Sequence, residues 1–367
     1  MGTYLIKLTP LGRFFFGGEL TFGKKNENYF VRSMTYPQQT TLLGMLRFYL
    51  LQQHDILDKD GKIKTESKEK VESLIGPSGF NPDNKGQSYG IIKKISPVFL
   101  IGPEGPLFVQ SREFAYIDLE DEITRQKKRM LNPLCIVKRN NQYHYLIGTQ
   151  KIDFPELLVN AITGSMCSMK EIFVEDEQPG IKIPDRSEET TIEKSYYRQV
   201  GYRFPPDYGF VFYAELANYN GTELEGGYVK MGADKSYFKI DIISKEENLD
   251  GLFVRGNKSI VNHLFTEVNK TEEKIVLLSD TYIKRNTYDQ LPFVSADTTV
   301  FRFIQTVSSG GTYLLKKAGV HLKKSSCHYV LLKKGSVFYV DSDKKMRVIS
   351  EIENEESFRR IGYNYAI

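Results

Sequence analysis

Runs with a two-residue apolar period recur along this chain without a regular alternation of helices, and that pattern most limits what it can fold into. Tyr4, Ile6 and Leu8 alternate with Leu5, Lys7 and Thr9 ahead of Pro10, and Phe14-Phe15-Phe16-Gly17-Gly18 turns the chain afterwards. Gly209–Leu216 is a dense aromatic strand, and Ser236–Ile242, Ile275–Leu278 and Ser336–Val340 repeat the signal. Ile91–Ile101 and Tyr143–Ile147 read as further strands.

Helical spacing is clearest over Leu42, Leu43, Leu46, Tyr49 and Leu50, behind Pro37 and the Thr40-Thr41 hydroxyls, which suit an N-cap. Gly44 inside it costs roughly 1 kcal/mol against alanine, which points to close packing against a strand or a ligand. Lys62–Ile75 is helix-compatible and is stopped by Gly76-Pro77, and Gly79–Gly90 reads as a mobile polar loop. Glu120–Met130 reads as a charged helical or disordered connection and Leu157–Met169 as a short helix. Several strands, two to four helices and no internal repeat give an α+β class. At 367 residues the length favours two domains. The proline-marked stretch from Pro179 to Pro206 places their boundary, giving units 1–205 and 206–367.

The net charge of +4 names no partner, but its distribution is uneven. From Thr298 to Val340 there is no Asp or Glu, while Arg302, Lys316, Lys317, Lys323, Lys324, Lys333 and Lys334 fall there. The first fifty residues are also basic, with Lys7, Arg13, Lys24, Lys25, Arg32 and Arg47 against Glu19 and Glu27. Acid collects between, at Glu171, Glu175, Asp176, Glu177, Asp185, Glu188, Glu189 and Glu193. Such segregation suits a polyanion on one face, with solvated or mutually neutralised charges as the alternative. No run nears the roughly 18 apolar residues of a membrane span, and no signal sequence opens the chain, so a cytoplasmic protein is expected. Cys135, Cys167 and Cys327 are far apart and read as buried free thiols.

Several chemistries are unsupported. His54, His144, His263, His321 and His328 lie in no HExxH or nucleophile-elbow context, and His321, Cys327 and His328 lack the spacing of a metal site. No Walker loop or GxGxxG occurs. No catalytic residue, metal or cofactor is assigned. Two stretches fit nucleic acid instead. Tyr196, Tyr197, Arg198, Tyr202 and Arg203 interleave rings with cations, a composition that stacks bases and neutralises phosphates. Gly226, Gly227 and Gly232 form a glycine turn whose N–H groups could approach a phosphate, with Lys230 and Lys235 as counter-charges and Tyr228 and Tyr237 as stacking rings. Ordinary hairpins remain the alternative for both.

In their order along the chain, four segments resemble the third-subunit family of the Cmr complex, the type III-B CRISPR effector, within the RAMP superfamily. The first is Leu8-Thr9-Pro10-Leu11 leading into Phe15-Phe16-Gly17-Gly18, followed by Ser33-Met34-Thr35-Tyr36-Pro37-Gln38-Gln39-Thr40-Thr41-Leu42-Leu43-Gly44-Met45-Leu46-Arg47. The third runs from Gly180-Ile181-Lys182-Ile183 through Glu193-Lys194-Ser195-Tyr196-Tyr197 to the glycine turn before Ser236-Tyr237-Phe238. The last is Leu331-Leu332-Lys333-Lys334-Gly335-Ser336-Val337-Phe338-Tyr339 with terminal Gly362-Tyr363-Asn364-Tyr365.

The resemblance implies two ferredoxin-like (RRM-like) domains with inserted hairpins and loops, and a subunit without a catalytic centre that caps the 5′ handle of a guide RNA. Implied partners are the large polymerase-like cyclase and nuclease subunit and the backbone RAMP subunit. RNA-binding candidates on this reading are Arg47, Lys194, Tyr196, Tyr197, Arg198, Gly226, Gly227, Lys230, Gly232, Lys235, Tyr237, Lys323 and Lys324. Arg47 could equally brace an acidic partner. The family's turn carries two adjacent glycines and then a basic residue, whereas here Ala233 and Asp234 follow Gly232 and Lys235 is shifted one position along. Corresponding subunits of types III-A and III-D share much of the plan; the length and C-terminal motif favour III-B. A RAMP endoribonuclease using a histidine such as His54 with a tyrosine or lysine, and an adaptor that never touches RNA, are the other readings.

Overall fold

The computed structural model describes residues 2–18, 30–59, 61–64, 68–120, 127–134, 136–140, 142–145, 154–181, 196–217, 224–232, 234–245, 273–289, 291, 294–306 and 322–367. Strands dominate, as the two-residue periodicity requires. In the first half they are β1 (Gly2–Pro10), β2 (Phe30–Arg32), β3 (Ile92–Ile95), β4 (Phe99–Gly102), β5 (Gly105–Val109), β6 (Phe114–Glu120), β7 (Lys127–Pro133), β8 (Ile136–Arg139), β9 (Gln142–Tyr145), β10 (Leu157–Asn160), β11 (Met166–Ser168) and β12 (Val174–Ile181). Then come β13 (Tyr196–Arg203), β14 (Gly209–Leu216), β15 (Gly227–Met231), β16 (Ser236–Lys245), β17 (Glu273–Val276), β18 (Thr281–Tyr282), β19 (Val294–Ser295), β20 (Thr298–Phe301), β21 (Ile304–Thr306), β22 (Leu322–Lys324), β23 (Tyr329–Leu332) and β24 (Val337–Val340). The helices are α1 (Gln39–Gln53), α2 (Lys68–Ile75), α3 (Met169–Ile172), α4 (Arg285–Tyr288), α5 (Ser342–Glu353) and α6 (Glu356–Arg359).

A mixed α+β fold results, centred on a nine-stranded sheet ordered β11-β10-β5-β4-β14-β1-β16-β15 with β3 also on β14. β1 is antiparallel to both neighbours, with Ile6 opposite Phe212 on one side and Ile242 on the other. Ile6, Leu8, Phe210, Phe212, Phe238 and Ile240 are fully buried and belong to the same apolar core as Leu42, Leu46, Tyr49 and Leu50 of α1. At roughly 1.5–3 kcal/mol for each large side chain removed from water, this layer supplies much of the drive to fold. Phe14 sits among Phe16, Phe173, Tyr202, Phe204, Phe210 and Phe238 at centroid distances of 4.9–6.5 Å. Many of the chain's 46 tyrosines and phenylalanines are therefore core rather than binding surface.

A second cluster joins the sheet to the C-terminal strands. Phe99, Phe108 and Val211 pack with Val276, Val337, Tyr339 and Tyr365. Beside it Glu113 and Lys274 form a buried ion pair, and Glu113 also accepts hydrogen bonds from the Tyr339 hydroxyl at 3.1 Å and Ser111 at 3.0 Å. These bonds satisfy a carboxylate that would be costly to bury alone. In the large sheet β1 lies between β14 and β16, which joins strands from either side of residue 205.

Several local expectations change. Ile91–Ile101 is two strands, because Pro97 has no N–H for a ladder and Ser96 turns instead to exchange bonds with the backbone of Tyr213. The described ends of Glu120–Met130 are strand, with Glu120 opposite Lys127 and Met130 opposite Ile117 in the β6–β7 pair; residues 121–126 lie outside the described residues. Leu157–Met169 is not a helix. Four consecutive buried residues form β10 against β5, Asn160 turns the chain by accepting from Ile162 and Thr163, and β11 follows. The N-cap of α1 is Gln38 without a side-chain bond, leaving Thr40 and Thr41 inside the helix. Gly44 is exposed, and a Cβ there would meet nothing within 4 Å, so it does not serve a close approach to a strand. The Gly79–Gly90 loop is fastened by buried Gln87, which donates to Ser78 at 2.8 Å and to the Gly79 carbonyl and accepts from Asn81. Cys327 is exposed and Cys167 half-buried, rather than both buried. Among the described residues no helix is long and apolar enough to cross a membrane.

Candidate nucleic-acid interface

The β15–β16 hairpin has two unlike faces because its sequence alternates. Val229, Met231, Phe238 and Ile240 point into the core, so Tyr228, Lys230, Tyr237 and Lys239 must point out. Tyr228 is 60% and Tyr237 54% exposed, unusual for rings of that size. The register sets Tyr228 opposite Lys239 and Lys230 opposite Tyr237, a checkerboard of rings and ammonium groups. The Lys230 ammonium lies 4.8 Å from the Tyr237 centroid, while Lys239 pairs with Asp241 at 2.8 Å, a hydrogen bond that raises its pKa. β15 ends the sheet order, so this face adjoins an open edge. Exposed rings alternating with cations are what a single-stranded nucleic acid needs: stacking for bases, counter-charge for phosphates.

The glycines serve the fold. Gly232 has φ +83°, and a Cβ there would sit 2.5 Å from the Phe15 carbonyl oxygen. Gly227 lies under the Tyr49 hydroxyl, which donates to the Glu225 carbonyl at 2.5 Å, and a Cβ on Gly226 would meet the Ile240 oxygen at 2.9 Å. Their close approach is to α1, β16 and Phe15. Lys235 closes the turn at φ +52° with an exposed side chain. Asp234, the departure from the family's turn, accepts from Gln199 at 2.7 Å and lies 3.6 Å from Arg13, tying the turn to β13.

The β12–β13 hairpin therefore stands beside the turn, but its cations are engaged. Arg198 forks onto Glu177, with Nη2 at 2.7 Å, and the bond holds the Glu177 carboxyl below its ordinary pKa. Arg203 pairs with Asp176 and Arg32 with Glu175. The acidic run at 175–177 is thus neutralised across strands rather than segregated from the basic residues. Tyr197 is half-buried, its ring against Gly180. Lys194 and the side chain of Tyr196 lie outside the described residues. So do the side chains of Lys323 and Lys324, whose backbone forms β22 against β21.

Arg47 does not reach a surface. It is 5% exposed and donates to the Gly76 carbonyl at 3.2 Å, bracing the end of α2, so its expected contact with RNA or a partner is corrected to an internal one. The 298–340 cations are not unopposed: Lys333 pairs with Asp297 at 2.7 Å, and half-buried Lys334 has Asp280 beside it. Sequence reasoning does not single out Lys239, although its place two residues after Tyr237 carries the signal. His54 is the C-cap of α1, where burial and Lys70 lower its pKa. No group of His, Cys, Asp and Glu among the described residues could hold a metal.

A family model described as CRISPR-associated protein (Cas_Cmr3) matches residues 6–146 and 140–367. The chain belongs to the Cas_Cmr3 family. No curated protein matches it. Its fold is similar to a chain in the cryo-EM structure of the Type III-B Cmr-beta bound to cognate target RNA, with TM-score 0.50 and 15% identity over 100% of this chain and 96% of that one. A chain of the same assembly bound to target RNA and AMPPnP gives TM-score 0.47 and 14% identity over 98% and 94%. The Csm3-Csm4 subcomplex of the type III-A CRISPR-Cas interference complex gives 0.33 and 12% over 92% of each chain. The resemblance read from four sequence segments and the family match agree.

Proposed function

We propose that this Cas_Cmr3 protein is a non-catalytic RNA-binding subunit of a cytoplasmic type III-B effector ribonucleoprotein. It caps the 5′ repeat-derived handle of the guide RNA and docks the large polymerase-like subunit beside the backbone RAMP subunit. The observation that carries the RNA-binding part is the exposed checkerboard of Tyr228, Lys230, Tyr237 and Lys239. Rings and ammonium groups on a sheet face grip a single strand without reading its sequence, which leaves sequence to base pairing. Two ferredoxin-like units belong to this proposal as an inheritance from the family; the largest of the sheets joins β1 to β14 and β16.

The test is the salt dependence of binding to a single-stranded guide handle. Each phosphate contact removed flattens the slope of log affinity against log salt by roughly 0.7 for a single strand. Lys230→Ala with Lys239→Ala is expected to lower the slope by about twice that amount. A wild-type slope in the double variant would remove the ladder from the RNA path, and a lowered slope in Lys323→Ala with Lys324→Ala would move the path to β22. Incubation with repeat RNA distinguishes the nuclease reading, which requires discrete metal-independent products lost in His54→Ala.

A further inference from the structure

Among the described residues the nine-stranded sheet ends on β15 at one side and on β11 at the other. Asn160 donates to the Ser165 carbonyl and Met169 to the Glu156 carbonyl, both at 2.9 Å, and Leu158 stands opposite Cys167. Ser165, Cys167 and Met169 therefore turn their backbone groups toward β10. The N–H and carbonyl of Met166 and the carbonyl of Ser168 point the other way, out of the sheet, while the Ser168 N–H is held by Glu171 at 3.3 Å. Edge strands are ordinarily blunted by a lysine, a proline or a bulge, and Met166-Cys167-Ser168 carries none of these. An uncharged edge with outward backbone groups is a template for another strand.

The side chains around this edge say what that strand must bring. Ile162, in the turn between β10 and β11, is 62% exposed and Met166 is 42% exposed. Ile162 lies over the β4–β5 turn, where a Cβ on Gly105 would come within 2.6 Å of its Cδ1. The same turn carries exposed Glu104, and exposed Asp207 precedes Tyr208, whose ring lies on Gly102. Burial raises the pKa of the Cys167 thiol and the Tyr208 hydroxyl, and Glu104 and Glu171 raise both further, so the two carboxylates flank one place. The charges there are Glu104, Glu171 and Asp207 against Lys170 on α3. A surface of net negative charge repels phosphate, and it repels a second copy of itself across a two-fold axis. It complements a cationic chain with apolar side chains between its charges.

We propose that β11 receives an extended segment of a protein partner as an added strand, with apolar side chains on Ile162 and Met166 and lysines or arginines beside Glu104 and Glu171. The sheet then has a ring- and lysine-bearing edge for nucleic acid and an acidic edge for protein. This assignment stands apart from the RNA-binding reading, which concerns the opposite end of the sheet.

Fluorescence anisotropy on the full chain tests it with a labelled peptide of about eight residues that alternates lysine and valine, enough to run the length of an edge strand. It is expected to bind roughly threefold or more tighter than a threonine–valine peptide of equal length, the worth of exposed ion pairs. Met166→Pro removes an outward N–H that β10 does not use, and is expected to weaken the lysine–valine peptide roughly three- to tenfold while leaving single-stranded RNA affinity unchanged. If that variant fails to fold, Glu104→Lys on the exposed turn takes its place and is expected to erase the difference between the two peptides. Equal affinity for both peptides, no affinity for either, or wild-type affinity in Met166→Pro overturns the proposal. Self-association of the chain that Met166→Pro abolishes would give the edge to a second copy, and RNA affinity lost in that variant would give it to RNA; either result overturns it too. Absence of RNA affinity in the wild type overturns the RNA-binding reading and leaves the edge standing.

Discussion

The β15–β16 and β12–β13 hairpins are both rich in tyrosine and basic residues, yet the arginines of β13 meet carboxylates across the strand pair, whereas on β15–β16 Lys239 pairs with Asp241 and Lys230 lies over the Tyr237 ring. On β13, Arg198 and Arg203 meet Glu177 and Asp176 across the strand pair, and the Tyr197 ring lies on Gly180. On β15–β16, Lys230 faces only a ring and Tyr228 and Tyr237 are over half exposed. Composition alone ranks the two alike. The difference is what stands opposite in register, a property of two strands at once.

The largest effect that could break this comparison is on affinity. Tyr228→Ala with Tyr237→Ala is expected to weaken single-stranded RNA binding at least tenfold, since stacking is worth about 1–3 kcal/mol per base. Tyr197→Ala is expected to change it far less. Equal losses in the two hairpins, measured by anisotropy at one salt concentration, would erase the distinction drawn between them.

Next in size is Gly232→Ala, which tests whether the turn beside the ladder is fixed by packing. Its φ of +83° and the Phe15 oxygen 2.5 Å from an added Cβ predict a loss of about 1–3 kcal/mol. Thermal unfolding would show it as a drop of several degrees. A variant of unchanged stability would return the glycine to a role in ligand approach.

What could be read from the sequence follows the same division. β1, α1, β14 and β16 carry their period within one segment, so each is legible alone, and the sequence singles out Tyr228, Lys230 and Tyr237 but not Lys239. Leu157–Met169 reads as a helix in sequence because its strand is decided by a partner, β5. Arg47 is buried and Arg198, though exposed, is ion-paired, for a related reason. Which group a guanidinium meets, the Gly76 carbonyl or the Glu177 carboxylate, is settled only where the folded chain brings them near.

A pH-dependent effect separates the ladder lysines from Lys334. Burial pulls the Lys334 amine down to about 7 from an ordinary 10.5, against a weaker upward pull from Asp280. Below pH 7 the folded and unfolded chains both hold the proton. Between about 7 and 10.5 only the unfolded chain does, so this group makes stability rise with pH across that window and adds nothing further above it. The melting temperature of Lys334→Met, compared with wild type at each pH, is expected to lack that increment. Lys239, whose pKa Asp241 raises, is expected to show no such rise when changed to Met.

The smallest effect is at Gly44, on the exposed side of α1, the helix that packs on β15 through Tyr49. Replacing it by alanine removes a backbone penalty of roughly 1 kcal/mol and meets no atom within 4 Å, so Gly44→Ala is expected to raise stability by up to that amount. If the ladder is the whole RNA path, affinity stays constant while the melting temperature rises. If affinity falls instead in the more stable protein, the added methyl group has met the ligand, and the path must run from β15 over the outer face of α1. Stability and affinity moving in opposite directions in one variant would then extend the interface to a helix whose glycine is otherwise unexplained by the fold.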